Sequence, residues 1–319
     1  MDTLIIDGLS FALPLFIMSI GGIYSERSGI TNLAIEGLQG FGAFFGALSV
    51  VLVSHFFHIP IQKLFYLALL LSMVGGMLFS LLHGLLSIRF KANQVISGVV
   101  INILAMAITV FLTTQINNIV FGAMSDKFQI GTSQRFTIGI LSQIPLLGPA
   151  FKNIYPFELV ILAIAILAYY IFYKTRFGLR LRACGDNPHS VDAAGVEVSK
   201  LQFRAVMVSG ALSGLGGISF AYSISTNFSP AIYMGYGYLA IAALIFGNWE
   251  ILPTFGACLL FGFARAGGYY MGQVLKLPST FSDLIMTLPY VLTLLLLVFF
   301  SKTNRVPRAL GEIYDKGKR

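Results

Sequence analysis

The sequence predicts an all-α, polytopic helical membrane protein of about nine spans, and three observations carry that prediction. Of its 319 residues 56% are hydrophobic and only 11% charged, whereas a soluble domain is usually about a quarter charged. Mean hydropathy is +0.82. The apolar residues gather in runs near the ~20 residues a helix needs to cross a ~30 Å hydrocarbon core. Lipid leaves backbone N–H and C=O groups no water to bind, so these runs are expected as helices rather than open strands.

In chain order the runs lie near 4–23, 30–53, 64–86, 95–116, 155–173, 205–223, 237–249, 252–271 and 281–300. The second contains Glu36 and Gln39, and the seventh is short, which sets a range of eight to ten spans. It is left open whether 30–53 is one full helix or a broken one. MDTLIID at the N-terminus carries acids where a cleavable signal carries Lys or Arg, so no removed leader is expected.

Orientation follows from the basic residues, which concentrate in cytoplasmic loops. The segments 24–29, 87–94, 174–204, 250–251 and the tail from 301 hold fifteen of the 21 Lys and Arg, and the opposite loops hold five. The remaining one, Arg265, lies within a run. The N-terminus is therefore expected outside and the C-terminus in the cytoplasm. The net charge of +8 is read as this orienting bias rather than as a nucleic-acid surface. The chain is expected to be a single transmembrane domain, 1–319, with a cytoplasmic loop at 174–204 and an external loop at 117–153 that forms a short lid or an interfacial helix. LAIEGL (33–38) and LAIAAL (239–244) hint at an internal repeat.

Several chemistries are missing from the sequence. It has no GxxxxGK[ST] to cradle nucleotide phosphates, and no HExxH, GxSxG or CxxC pair. His55 and His58 are three apart at a predicted membrane boundary but lack a third ligand, so neither a metal site nor a catalytic residue is nominated. Cys184 lies in a polar stretch and Cys258 in an apolar one, which argues against a disulfide between them.

Polar groups inside spans are costly and usually face a cavity or a partner. Asn32, Glu36, Gln39 and Asn102 are the candidate path residues. Glu36 is also near enough to Arg27 to be paired or hydrated, and Arg265 is expected to pair with an acid such as Asp283 or Glu36. Asn93 and Asn248 bind a solute or fasten helices. Phe41, Phe44, Tyr222, Tyr233 and Tyr236 either stack on a flat ring or pack in the core. GAFFG (42–46) and GALSG (210–214) suit close helix packing.

RACGDNPHSVDAAG at 182–195 is the one compact polar element between spans. Asn187 is a good N-cap, Pro188 at the first helical position loses no hydrogen bond, and Gly195 suits the left-handed residue that ends a helix. A helix this short is unstable alone and needs a partner surface. Ala193 and Ala194 are small enough to let it sink into a groove. A force-transmitting contact and an ordinary interfacial helix both fit.

TRFGLRLRACGDNPHSVDAAGVEVSKLQFRA resembles the cytoplasmic coupling loop of ABC importer permeases in the ribose and branched-chain amino-acid superfamily. SERSGITNLAIEGLQGFGAF (25–44) resembles the first signature of the branch that imports nucleosides with basic membrane lipoprotein receptors. KANQVISGVVINILA (91–105), IAALIFGNWEILPTFGACLLFG (241–262) and RVPRALG (305–311) follow in the expected order. The resemblance implies a permease subunit in the bacterial plasma membrane. Asn187, Pro188, Ala193, Ala194 and Gly195 would be its ATPase-coupling residues. It also implies a separate ABC ATPase subunit that carries ATP and Mg, a second homologous permease subunit and a substrate-binding lipoprotein. No cofactor is expected in this chain. A ribose-like sugar permease is the alternative substrate branch. An ion-coupled secondary transporter, an intramembrane enzyme and a scaffold are the competing classes.

Overall fold

The computed structural model describes residues 2–144, 148–230, 235–276, 287, 291 and 305–317. Among them are seven helices long and apolar enough to cross a membrane. These are α1 (Asp2–Glu26), α2 (Ile35–Phe57), α3 (Phe65–Gly84), α4 (Gln94–Phe121), α5 (Pro156–Lys174), α8 (Val198–Phe220) and α10 (Ile251–Val274). A 3₁₀ turn leads into α3, and π turns end both α3 and α8. Two short helices, α6 (Arg176–Asp186) and α7 (Pro188–Ala193), lie between α5 and α8.

The seventh apolar run forms α9 (Tyr236–Phe246), which has 11 residues. That is roughly 16 Å of helix, about half the hydrocarbon thickness. The short run therefore reflects a half-helix rather than a complete span. Run 281–300 lies outside the described residues except at 287 and 291. Run 30–53 resolves into two parts. Residues 27–34 make a tight turn, and α2 then continues unbroken from Ile35 to Phe57. LAIEGL straddles the start of α2 while LAIAAL lies inside α9, so the two fragments do not occupy equivalent positions.

The innermost helices are α1 and α8. Along α1 every residue from Ser10 to Glu26 is buried, and so is nearly all of α8 beyond Ala205. Water gives no hydrophobic drive between helices in lipid, so close contact and hydrogen bonds must hold them together. Glycines permit that contact where α2, α3 and α8 meet. A Cβ on Gly76 would lie 2.2 Å from Gly210 O, one on Gly210 would lie 2.3 Å from Gly76 O, and one on Gly42 would lie 2.4 Å from Gly214 Cα. GAFFG and GALSG thus do the packing work expected of them. At the periphery, α4 leaves Ile96, Ile103 and Phe111 more than 60% exposed.

One end of the bundle collects the segments rich in Lys and Arg. Arg27 donates to the carbonyls of Asn248 and Trp249, Lys91 pairs with Asp315 at 2.9 Å, and Arg305 N donates to Asn248 Oδ1. At the other end the connection after α4 contains no α-helix among its described residues. Instead β1 (Phe128–Gln129) pairs antiparallel with β2 (Asn227–Phe228), and the rings of Phe128 and Phe228 sit 6.1 and 5.8 Å from that of Phe44. Lys152 meets Asp2 at this end at 2.9 Å.

Candidate functional site

A cavity of ≈ 270 Å³ opens between α2, α4 and the start of α9, with Glu36, Asn102, Met106, Thr109, Gly235 and Tyr238 in its lining. Asn102 lies eight residues into α4, about 12 Å along that helix, so the cavity sits at that depth and opens at the α4 face of the bundle. The half-helix α9 starts at this level.

Glu36 makes the central contact. Its Oε1 accepts from Gly235 N and its Oε2 from Gly237 N, both at 2.6 Å, and Gln39 Nε2 donates to Oε2 at 3.0 Å. Gly235 is the N-cap of α9 at φ 102°, in the left-handed region glycine favours. The first amides of a helix have no partner within it, and its N-terminus attracts negative charge. The carboxylate meets both needs from another helix. Glu36 is therefore paired with the start of α9, not with Arg27.

Asn102 braces the same junction. Its Oδ1 accepts from Gly37 N at 2.8 Å, and its Nδ2 donates to Leu33 O at 2.8 Å and Tyr238 Oη at 3.0 Å. Tyr238, 46% exposed, places an aromatic ring in the lining. Sequence reasoning missed it, because a Tyr in an apolar run reads as core or as membrane interface. Asn32 does not reach the cavity. It is fully buried, with Nδ2 donating to Ser209 Oγ at 2.8 Å and Oδ1 accepting from Ala34 N. Gln39 is equally buried and holds Glu36. Of the four candidate path residues, the structure thus brings Glu36 and Asn102 to the lining and sets Gln39 and Asn32 behind it.

Asn32 belongs to the turn 27–34, on which much of the surrounding structure converges. His83 bonds Thr31 O at 3.1 Å and Ser97 Oγ at 2.9 Å, and Gln94 Oε1 accepts from Thr31 N at 2.7 Å. Cys184 Sγ and Gln202 Nε2 both donate to Ser28 O, at 3.3 and 3.2 Å. Trp249 Nε1 donates to Glu26 Oε2 at 2.5 Å. The turn has few apolar residues yet is enclosed, because its main-chain groups find partners on α3, α4, α6 and α8.

The remaining candidates are mostly structural. The ring of Phe41 stacks on Phe79 at 4.2 Å, Tyr222 meets Phe65 at 4.7 Å, and Tyr236 meets Phe220 at 4.9 Å. Tyr233 lies outside the described residues. Asn93 caps α4 by accepting from Val95 N and Ile96 N, and Asn248 accepts from Arg305. Arg265 does not pair with Glu36. Its guanidinium lies 4.4 Å over the Phe11 ring and donates to Tyr236 Oη at 3.2 Å, while Asp283 is outside the described residues. No cluster of potential metal ligands occurs among the described residues. A second hollow of ≈ 260 Å³ between α1, α5 and α10 is walled by Phe16, Ile166, Phe255 and other apolar groups, and of its described lining side chains only Tyr169 carries a polar atom.

The polar stretch at 182–195 forms the end of α6 and all of α7. Asn187 Oδ1 accepts from Ser190 N at 3.1 Å, with Pro188 next in the chain at the first helical position. Gly195 ends the helix at φ 78°. Gly195 N donates to Asp192 O and Val196 N to Val191 O, the paired closure of a Schellman motif. On the inner side Val191 packs with Cys184, Val198 and Leu201, and burial pushes the Cys184 thiol up to about 12. His189, Ser190, Ala193, Ala194 and Gly195 face outward and are exposed.

A glycine-packed membrane bundle with a polar-edged cavity at the start of a half-helix has the architecture of a solute permease. The chain belongs to the family described as branched-chain amino acid transport system / permease component, whose model matches residues 4–300. It is 38% identical over 315 residues to the guanosine ABC transporter permease protein NupQ of Bacillus subtilis, covering 98% of this chain and 96% of that protein. It is 35% identical over 328 residues to the nucleoside ABC transporter permease protein NupC of Lactococcus lactis, covering 100% and 98%. A more distant relative in Bacillus subtilis, the guanosine ABC transporter permease protein NupP, is 25% identical over 95% of this chain and 82% of its own length. No solved structure matches. The chain is thus a multi-pass permease of the plasma membrane, and these three relatives are named as transporter permeases.

Proposed function

We propose that the chain is one permease subunit of an ATP-driven nucleoside importer. End-to-end similarity to two permeases named for guanosine and nucleosides supports the substrate class. The ATP-driven step is assigned to a separate ABC ATPase that carries ATP and Mg and docks on α7. The observation that carries this reading is the construction of α7. It is capped at both ends and anchored from inside by Val191, and it turns Ala193, Ala194 and Gly195 outward, exposed among the described residues. Small exposed residues let a partner's groove approach the backbone, and the buried anchor passes displacement inward.

The proposed topology has nine crossings, with the N-terminus outside and the C-terminus cytoplasmic, in a single domain spanning 1–319. The coupling loop is 174–204 and the external loop 117–153. Support comes from the gathering of Arg27, Lys91, Arg305 and α7 at one end and the β1–β2 ribbon at the other. In this topology α9 enters from mid-membrane and completes its crossing at Gly247.

The cavity is proposed as part of the translocation path. Glu36 and Asn102 shape it while bonded to protein, and the ring of Tyr238 presents a face to a planar base. With most polar groups already partnered, the path holds solute weakly, and a lipid-anchored binding protein delivers and selects it outside. A second, homologous permease closes the path against the exposed face of α4, where Ile103 borders the cavity. The occurrence of NupQ and NupP in one organism supports a pair of unlike subunits.

Ala194→Trp tests the docking. The bulky ring overfills the groove, so labelled guanosine uptake falls while membrane insertion and cavity structure persist. Wild-type uptake by this variant would contradict docking through α7.

A further inference from the structure

The C-terminal tail is tied to both the proposed docking helix and the turn beneath the cavity. Ala309 N donates to Gly185 O at 2.8 Å, and two residues on Gly311 N donates to Gly29 O at 3.0 Å. The stretch 309–311 thereby bridges the end of α6 and the turn 27–34. These segments already touch, since a Cβ on Gly185 would lie 2.3 Å from Arg27 O. Ala309 is buried in the crossing.

Further along, the tail reaches α7 itself. The Tyr314 ring packs against the Cys184–Val191–Val198–Leu201 cluster and lies 5.2 Å from the His189 ring. Lys316 approaches Asp192 at 3.8 Å, and Asp315 pairs with Lys91 in the α3–α4 connection. One strand of chain thus touches the docking helix, the 27–34 turn and the foot of α4. The turn contains Leu33, whose carbonyl accepts from Asn102, and leads into Glu36 in the cavity lining.

We infer that residues 305–317 form a strap that positions α7 against the turn 27–34, with Tyr314 as its key side chain, so that displacement of α7 is delivered to the Glu36–Asn102 junction. Tyr314 touches neither solute nor nucleotide and acts through α7. α6 and α8 already hold the turn through Cys184 and Gln202, which both donate to Ser28 O, but neither bond is made by α7 itself. The strap grips α7 directly through Tyr314 and Lys316 and the turn through Gly311, so a swing of the six-residue helix becomes a push on the turn. The inference rests on α7 being the ATPase contact.

The test uses the complete importer in proteoliposomes, reading ATP hydrolysed per labelled guanosine transported. Tyr314→Ala is expected to assemble and hydrolyse ATP while transporting poorly, so the ratio rises several-fold. Tyr314→Phe keeps the packed ring and is expected to retain the wild-type ratio. An unchanged ratio in Tyr314→Ala, or uptake and hydrolysis falling in proportion, would overturn the strap. If Tyr314→Ala does not assemble, the surface variant Lys91→Glu is expected to raise the ratio, and adding Asp315→Lys to restore it; a ratio unmoved by Lys91→Glu overturns the strap too. Ala194→Trp separates the two ideas. Uncoupling by Ala194→Trp without uncoupling by the strap variants removes the strap alone, whereas normal coupling in Ala194→Trp removes the docking reading and the strap with it.

Discussion

Replacing Glu36 with Gln keeps the size of the side chain but removes its charge and one acceptor. Each carboxylate oxygen accepts from one α9 amide at 2.6 Å. A Gln offers one carbonyl oxygen, so either Gly235 N–H or Gly237 N–H then faces an NH₂ group. An enclosed donor left without a partner costs ~1–3 kcal/mol, and loss of the negative charge at a helix N-terminus costs ~0.3–1 kcal/mol. The combined loss is about 1.3–4 kcal/mol, which raises local opening of the start of α9 roughly 10- to 1,000-fold. Hydrogen exchange followed by mass spectrometry on peptides covering 235–246 measures this directly in the purified importer. Faster exchange confined to this segment is expected, with a fall in guanosine uptake. Exchange within about threefold of wild type would refute the claim that the carboxylate holds the half-helix in place.

Two further predictions address the scaffold. Gly76→Val must force α3 and α8 apart, because even a Cβ there meets Gly210 O at 2.2 Å. A lower melting temperature, with loss of ~1–3 kcal/mol or more from overpacking, is expected by fluorescence-detected size exclusion after heating, whereas Gly256→Ala, whose Cβ meets nothing within 4 Å, does not lower it and raises it slightly if anything, since Ala favours the helix. The native protein is expected to resist maleimide at pH 8 until unfolded, since Cys184 and Cys258 are both buried. With the Cys184 thiol raised to about 12, its thiolate is scarce at pH 8 and becomes substantial only as pH approaches that value, so stoichiometric labelling of Cys184 in the native protein, located by peptide mapping, would contradict the packing around Ser28.

Much of the scaffold was legible because its signals are local. Run length and the cost of bare backbone in lipid mark the spans, and Asn187, Pro188 and Gly195 mark α7 through capping chemistry that needs only neighbours in sequence. The site was legible in part. Glu36 and Asn102 stood out as polar groups in apolar runs, and both reach the cavity. Their partners did not stand out, because Gly235 lies about 200 residues from Glu36 and the dependence of α9 on a foreign cap leaves no periodic trace. Asn32 carried the same signal as Asn102 but bonds Ser209 instead, and only packing distinguishes a fastening amide from a lining one. Arg265 was expected to pair with Asp283 or Glu36; Glu36 is taken by α9, Asp283 lies outside the described residues, and the flat guanidinium also meets Phe11 and Tyr236 by cation–π contact and hydrogen bond. The tail's basic charge and its RVPRALG motif carry no local sign of the backbone bonds to Gly185 and Gly29 that tie it into the structure.

The most direct test of the account is uptake of labelled guanosine in cells with or without this gene, each with the cognate ATPase intact or disabled, using ribose and leucine as comparison solutes. The account predicts that guanosine uptake is lost when either gene is disabled, while ribose and leucine uptake stay unchanged. Guanosine uptake that requires this chain but persists without the ATPase would contradict the coupling through α7 and make Glu36 the candidate for an ion-coupled mechanism.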